Sequence, residues 1–186
     1  MPTSKEPESN SGNAKQESDK NKGLKYSSDV TSDWIDGKNH KTQLSILHEY
    51  TKDGTTYIVD GHSVVLDHSN YEYKVANWLS IKTGLKVDIL PRVNIPWNAN
   101  TPDYLLGGVP FDLKEITGSG KSVIDGNLHK TKKQTPNIIF DITKSPLSHE
   151  EIMDQMEQVY RSGRRGLQTV IIKDGHELLY VLTPVK

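Results

Sequence analysis

The chain has no cysteine, which removes disulfide frameworks, thiolate metal ligands and a thiol nucleophile together. It has no apolar run near the roughly 18 residues a membrane-spanning helix needs, and its N-terminus lacks the apolar core of a secretory signal. Net charge is scarce as well, with 23 basic against 24 acidic side chains. Only 33% of residues are hydrophobic and the mean hydropathy is −0.64, so a soluble protein is expected. A length of 186 residues allows one folded domain and a tail.

The tail is expected at the N-terminus. Within the first 28 residues only Met1, Ala14, Leu24 and Tyr26 are apolar, too few to offset the entropy of ordering the segment, so residues 1–30 read as a disordered arm. Residues 31–67 read as an extension carrying a β-hairpin, because 50–67 alternates β-branched residues with the turn dipeptides Asp53-Gly54 and Asp60-Gly61. Residues 68–186 read as the main domain. Residues 1–67 carry a net charge of −3 and 68–186 carry +2, a weak lean toward a polyanionic partner.

Within the main domain, Ser69 or Asn70 caps a helix over 70–82 that Gly84 stops. Strands follow at 86–93, 102–106 and 109–116, the last two joined by Gly107-Gly108 as a hairpin. A second helix is expected over 122–134. The continuous apolar run at 137–142 fits a central strand buried on both faces. Ser148 and Glu151 form a capping box for a third helix ending near Gly163, and two strands at 167–173 and 177–182 close the chain. The order predicts an α/β or α+β fold with a mixed central sheet flanked by helices.

The hairpin pattern places Asp103 beside Asp112, and Asp112 and Lys114, two apart on one strand, share a face. Two carboxylates and an ammonium at one spot suit a hard divalent cation such as Mg²⁺, which takes oxygen ligands. Phosphodiester cleavage needs charge neutralised on the phosphate and an activated, positioned water, tasks such a cluster covers. The plainer reading is a turn aspartate and a solvated strand face. Glu72 lies on the stripe of Val75, Ala76 and Leu79 that should meet the sheet; it either joins the cluster or serves the dipole of the first helical turn.

A helical Glu, then PDYLLGGVPFDLK, then helix and strand resembles the PD-(D/E)xK nuclease superfamily. More narrowly, residues 68–186, with the stretches EYKVANWL, GLKVDILPRV, TPDYLLGGVPFDLKEITGSGKS and KKQTPNIIFDI, are similar to the C-terminal nuclease domains of CdiA contact-dependent growth-inhibition toxins and related polymorphic toxins. The resemblance implies a restriction-endonuclease-like core and a metal-dependent endonuclease toxin domain. It implies that Asp103, Asp112 and Glu72 bind the metal, with the Leu113 carbonyl beside them, and that Lys114 assists the attacking water. The metal would be Mg²⁺ or Mn²⁺, with Zn²⁺ as a further option. RNA, tRNA foremost, is the leading substrate and DNA the alternative. A cognate immunity protein is implied as partner, with delivery out of the producer and action in the target-cell cytoplasm.

Lys121, His129, Lys130, Lys132, Lys133 and Gln134 would either grip a nucleic-acid backbone or form a solvated helix face. His129 with Lys130, Thr131 and Lys132 also opens the rival of a metal-independent ribonuclease of the barnase, EndoU and colicin-like group. A second rival is a module that binds nucleic acid without cutting it. His48, His62, His68, His149 and His176 lack metal spacing and read mostly as loop or surface residues. Trp78 reads as core, whereas Trp97, in the loop before Pro102, is the better base-stacking candidate.

Overall fold

The computed structural model describes residues 25–131 and 134–186. The chain runs β1 (Ser27–Asp29), α1 (Thr31–Trp34), β2 (Leu44–Ile46), β3 (Glu49–Lys52), β4 (Thr55–Ile58), β5 (Val64–Val65) and α2 (Asn70–Thr83). It continues through β6 (Val87–Ile89), β7 (Arg92–Val93), β8 (Tyr104–Leu106), β9 (Val109–Glu115), α3 (Val123–Thr131), β10 (Ile138–Asp141), α4 (His149–Ser162), β11 (Val170–Asp174) and β12 (Glu177–Pro184). No helix among the described residues is long and apolar enough to cross a membrane.

Local sequence explains both long helices. Ser69 and Ser148 accept from the backbone N–H three residues on, and Glu72 and Glu151 reach back to the capping residues, so each start is a complete capping box. Gly84 and Gly163 end the helices in the left-handed conformation that glycine adopts without a Cβ penalty.

Eight strands form one mixed sheet in the order β1-β12-β11-β10-β9-β8-β6-β2. β10 lies parallel to both β9 and β11, while β8 is antiparallel to β9 and β6, and β12 to β11 and β1. Every residue of β10 is buried, as its continuous apolar run requires. One face, with Leu113, Ile139 and Ile171, packs against Val75, Ala76 and Leu79 of α2. The other, with Ile138, Phe140 and Ile172, packs against Ile124 and Leu128 of α3 and Ile152, Met156 and Val159 of α4. The expected mixed sheet flanked by helices is therefore present.

Three expectations need correction. Ser27–Asp29 is not part of a disordered arm: it pairs with β12, and Ser27 is buried with its hydroxyl on Glu157. Residues 1–24 lie outside the described residues. The extension over 31–67 is not confined to its hairpin, since β2 joins the main sheet beside β6. Residues 86–93 are not one strand, because Pro91 has no N–H for a ladder; β7 leaves the main sheet and pairs with β5. The β3–β4 hairpin does turn at Asp53-Gly54, both with positive φ.

Candidate active site

Gly107 and Gly108, at φ 57° and 84°, make the two-residue turn that pairs Tyr104 with Phe111, Leu105 with Pro110 and Leu106 with Val109. Asp103, just before β8, still meets β9: its N–H donates to the carbonyl of Phe111, the neighbour of Asp112, at 3.1 Å. There β8 has ended, so the Leu113 N–H meets no strand and donates to Asp103 Oδ2 instead, at 2.7 Å. The N–H and C=O of one strand residue point to the same side, so the Leu113 carbonyl is directed to this open edge too.

Asp112 stands level with Ile138 and Lys114 with Phe140, so both side chains project on the α3–α4 face. The Asp112 side chain is buried, and Lys114 Nζ lies 2.7 Å from its Oδ2 with a quarter of the lysine side chain exposed. That contact is a charge contact without hydrogen-bond geometry, and neither Asp112 oxygen accepts a hydrogen bond among the described residues. The Asp103 carboxyl is pushed up to about 8, first by burial and then by the Asp112 charge; the Leu113 N–H and Lys114 act in the opposite direction. The closeness of the Asp112 side chain thus adds to burial in favouring the protonated form of Asp103. Two carboxylates this close resist joint ionisation unless a cation joins them.

The cluster opens into a cavity of about 370 Å³ between the end of β8 and the loop leading to it. Asp67, Glu72, Asp103 and Asp112 line it against Arg92 and Lys114, four carboxyl groups to two cationic side chains. Arg92 pairs with Asp67 at 3.0 Å and Lys114 with Asp112, so Glu72 and Asp103 stand outside these two ion pairs. Glu72 belongs to α2 on the opposite face of the sheet, and its carboxylate is turned back to the Ser69 N–H as part of the cap. Tyr104 Oη anchors that turn by donating to the Glu72 carbonyl at 2.8 Å. Of the four residues singled out from sequence, Asp103, Asp112 and Lys114 converge, and Glu72 stands on the cavity wall engaged elsewhere. Among the described residues no group of three or more His, Asp and Glu side chains is placed to hold a metal ion.

Two carboxylates are still a sufficient protein contribution for Mg²⁺, which keeps several waters and takes the rest of its shell from substrate phosphate. Asp103, Asp112 and the Leu113 carbonyl fit that role. The orphaned Asp112 oxygens and the mutual repulsion of the pair are the features that a cation would relieve.

The candidate nucleic-acid residues scatter. Gln134 lines the cavity and donates from Nε2 to the Thr101 carbonyl at 3.1 Å. Lys121 borders a separate cavity of about 100 Å³ with Asp125 and Arg164. His129 is absent from the lining of the main cavity; its Nδ1 lies 3.4 Å from Arg165, which is held by both oxygens of Asp125. The side chain of Lys130, together with Lys132 and Lys133, lies outside the described residues.

Sequence reading missed His68 and the Asp67–Arg92 pair on the cavity wall. His68 lines the wall with its Nδ1 buried and without a hydrogen-bond partner among the described residues, while its ring stacks on Tyr73. Arg92 supplies the cavity's second cation. Only the position of His68 just before a helix cap hinted at the site. The reading also missed a buried polar knot: Asp141 accepts from Lys173 at 2.9 Å, Tyr71 at 3.1 Å and Thr143. Burial by itself would raise the Asp141 carboxyl, yet these bonds hold it below its ordinary range.

No curated protein matches the chain. Among solved structures it is similar to a chain of a CdiA-CT/CdiI toxin and immunity complex from Burkholderia pseudomallei, with 20% identity over 75% of this chain and 99% of that one and a TM-score of 0.45. Residues 100–178, a span that contains Asp103, Asp112 and Lys114, match the family model of the contact-dependent growth inhibition CdiA C-terminal domain.

Proposed function

We propose that this chain is a toxin domain that hydrolyses RNA phosphodiester bonds with the help of a divalent metal ion. One observation carries the chemistry: Asp103, Asp112 and Lys114 meet in an acidic cavity where the oxygens of Asp112 have no hydrogen-bond donor. The family match over 100–178 supports the toxin part of the reading. Mg²⁺ or Mn²⁺ held by Asp103, Asp112 and the Leu113 carbonyl would supply charge neutralisation at the phosphate and a more acidic bound water.

The chain's own groups divide the remaining work. Asp112, fully buried, supplies the innermost carboxyl group of the site. Asp103 has its carboxylate pinned by the Leu113 N–H, so it presents its other oxygen in a defined direction. Lys114, partly exposed at the mouth, orients the attacking water and offsets charge gathering on the phosphate. Glu72 holds α2 against the cavity through its cap and adds a carboxylate to the wall. Arg92 is placed to meet a flanking phosphate, with Asp67 keeping its guanidinium oriented. A nuclease toxin of this kind needs a neutralising immunity protein in its producer and acts in the cytoplasm of the target cell.

The test is incubation of purified protein with total RNA and, separately, with plasmid, with Mg²⁺ or with chelator, beside Lys114→Ala. Expected are cutting of RNA in Mg²⁺, none in chelator, and a loss of about 100-fold or more in Lys114→Ala. Cutting that persists in chelator, or full activity in the variant, refutes the reading.

A further inference from the structure

Trp97 is 88% exposed and lines the same cavity as Asp112 and Lys114. A single exposed aromatic is ordinary on a protein surface. What sets Trp97 apart is that its loop is braced. The N–H groups of Asn94 and Ile95 both donate to the Ser63 carbonyl, at 2.7 and 3.2 Å, and the Ala99 N–H donates to the Pro96 carbonyl at 3.0 Å. Lys52 Nζ reaches across from the β3–β4 hairpin to the carbonyls of Ala99 and Asn100, at 2.8 and 2.7 Å. These bonds brace the backbone on either side of Trp97, so the loop carries its exposed indole at the edge of the site. The other two tryptophans serve the interior: Trp78 is buried, and Trp34 packs edge-on to Phe111.

We propose that Trp97 is a stacking platform for an unpaired nucleobase next to the reacting phosphate, so that the segment cut is single-stranded RNA. The inference rests on the ribonuclease reading and narrows its substrate. An exposed indole on the wall of the cavity that Arg92 and Lys114 also line presents complements to both parts of a nucleotide: a π-face for the base and cations for the phosphate. In a duplex both faces of every internal base are already stacked on neighbours, so only an unpaired base can use the indole.

The experiment measures binding rather than cleavage. Fluorescence anisotropy of end-labelled oligo(A) RNA, alone or paired with oligo(U), is titrated with the full chain in chelator, where a metal-dependent nuclease cannot cut. Gel analysis confirms that the probe stays intact. Wild type is compared with Trp97→Ala and Trp97→Phe. Trp97 is exposed, so its truncation removes no core packing. Expected is a loss of about tenfold or more in affinity for single-stranded oligo(A) in Trp97→Ala, the equivalent of ~1.4 kcal/mol. Trp97→Phe should recover most of that loss, and the duplex should bind all three proteins alike. Equal binding of oligo(A) by wild type and Trp97→Ala, or an equal loss toward the duplex, overturns the proposal. The two readings fail separately: Trp97-dependent binding without cleavage in Mg²⁺ defeats the nuclease assignment alone, whereas cleavage that ignores Trp97 defeats the stacking role alone.

Discussion

Replacing Asp112 with Asn should make the protein more stable and less active. The carboxyl of Asp103 is pushed up to about 8 from an ordinary 3.8, with burial the first cause and the Asp112 charge the second. A raised pKa in the folded state means that the native chain holds a proton the unfolded chain releases. The stability this confers is fully present below pH 3.8 and is lost as pH rises toward 8, at ~1.4 kcal/mol per pH unit. Asp112→Asn removes the charge responsible for part of that rise while keeping the side chain's volume. It also loses the ion pair with Lys114, but that ammonium is a quarter exposed and rehydrates, a loss of ~1 kcal/mol or less. The net expectation at pH 8 in chelator is a gain of about 1–3 kcal/mol, or roughly 2–12 °C in Tm for a chain of this size. The gain should shrink steadily toward pH 4. Thermal melts at pH 4, 6 and 8 measure it, and a parallel series in Mg²⁺ should stabilise wild type at pH 8 by ~2.7 kcal/mol at a hundred times Kd, and the variant by much less. A variant that melts below wild type at pH 8 in chelator, or whose advantage does not change with pH, would show that the two carboxylates do not oppose one another.

The cap on α2 separates the two roles considered for Glu72. Ser69→Ala should cost ~1 kcal/mol in urea unfolding, whereas Glu72→Gln retains the capping pattern and should stay within ~0.5 kcal/mol of wild type. Because Glu72 is engaged by the cap, Glu72→Gln should also keep far more cleavage activity than Lys114→Ala; a loss as deep as that of Lys114→Ala would make its carboxylate a full member of the reacting cluster. At the other end of the parallel strands, Asp141→Ala should cost about 3–5 kcal/mol in urea unfolding, because it strands the buried Lys173 ammonium, and a loss under ~1 kcal/mol would contradict the buried-pair account.

Much of this molecule was legible residue by residue. Ser69 with Glu72 and Ser148 with Glu151 announce helix starts because a cap involves atoms within one turn. Gly107-Gly108 announces the hairpin because the turn needs two positive φ angles, and the two-residue period then commits Asp112 and Lys114 to one face. These are short-range matters of sterics and hydrogen-bond reach, decided before the chain has met itself.

The site's remaining features were settled by contacts between distant segments. Ser27–Asp29 looked too polar to order, yet the open edge of β12 accepts it, and pairing of backbone groups asks little of the side chains. Glu72 pointed from sequence both to the cluster and to its own helix; α2 packs on the face opposite Asp112 and Lys114, and the carboxylate turns back to Ser69. His68 and Arg92 carried no motif, and they reach the cavity only because α2 begins, and β7 departs, beside the end of β8. Short-range sterics wrote the helices, turns and strand faces into the amino-acid order. Which charges were left without partners around one cavity was decided only by tertiary packing, because burial and charge repulsion depend on neighbours far away along the chain.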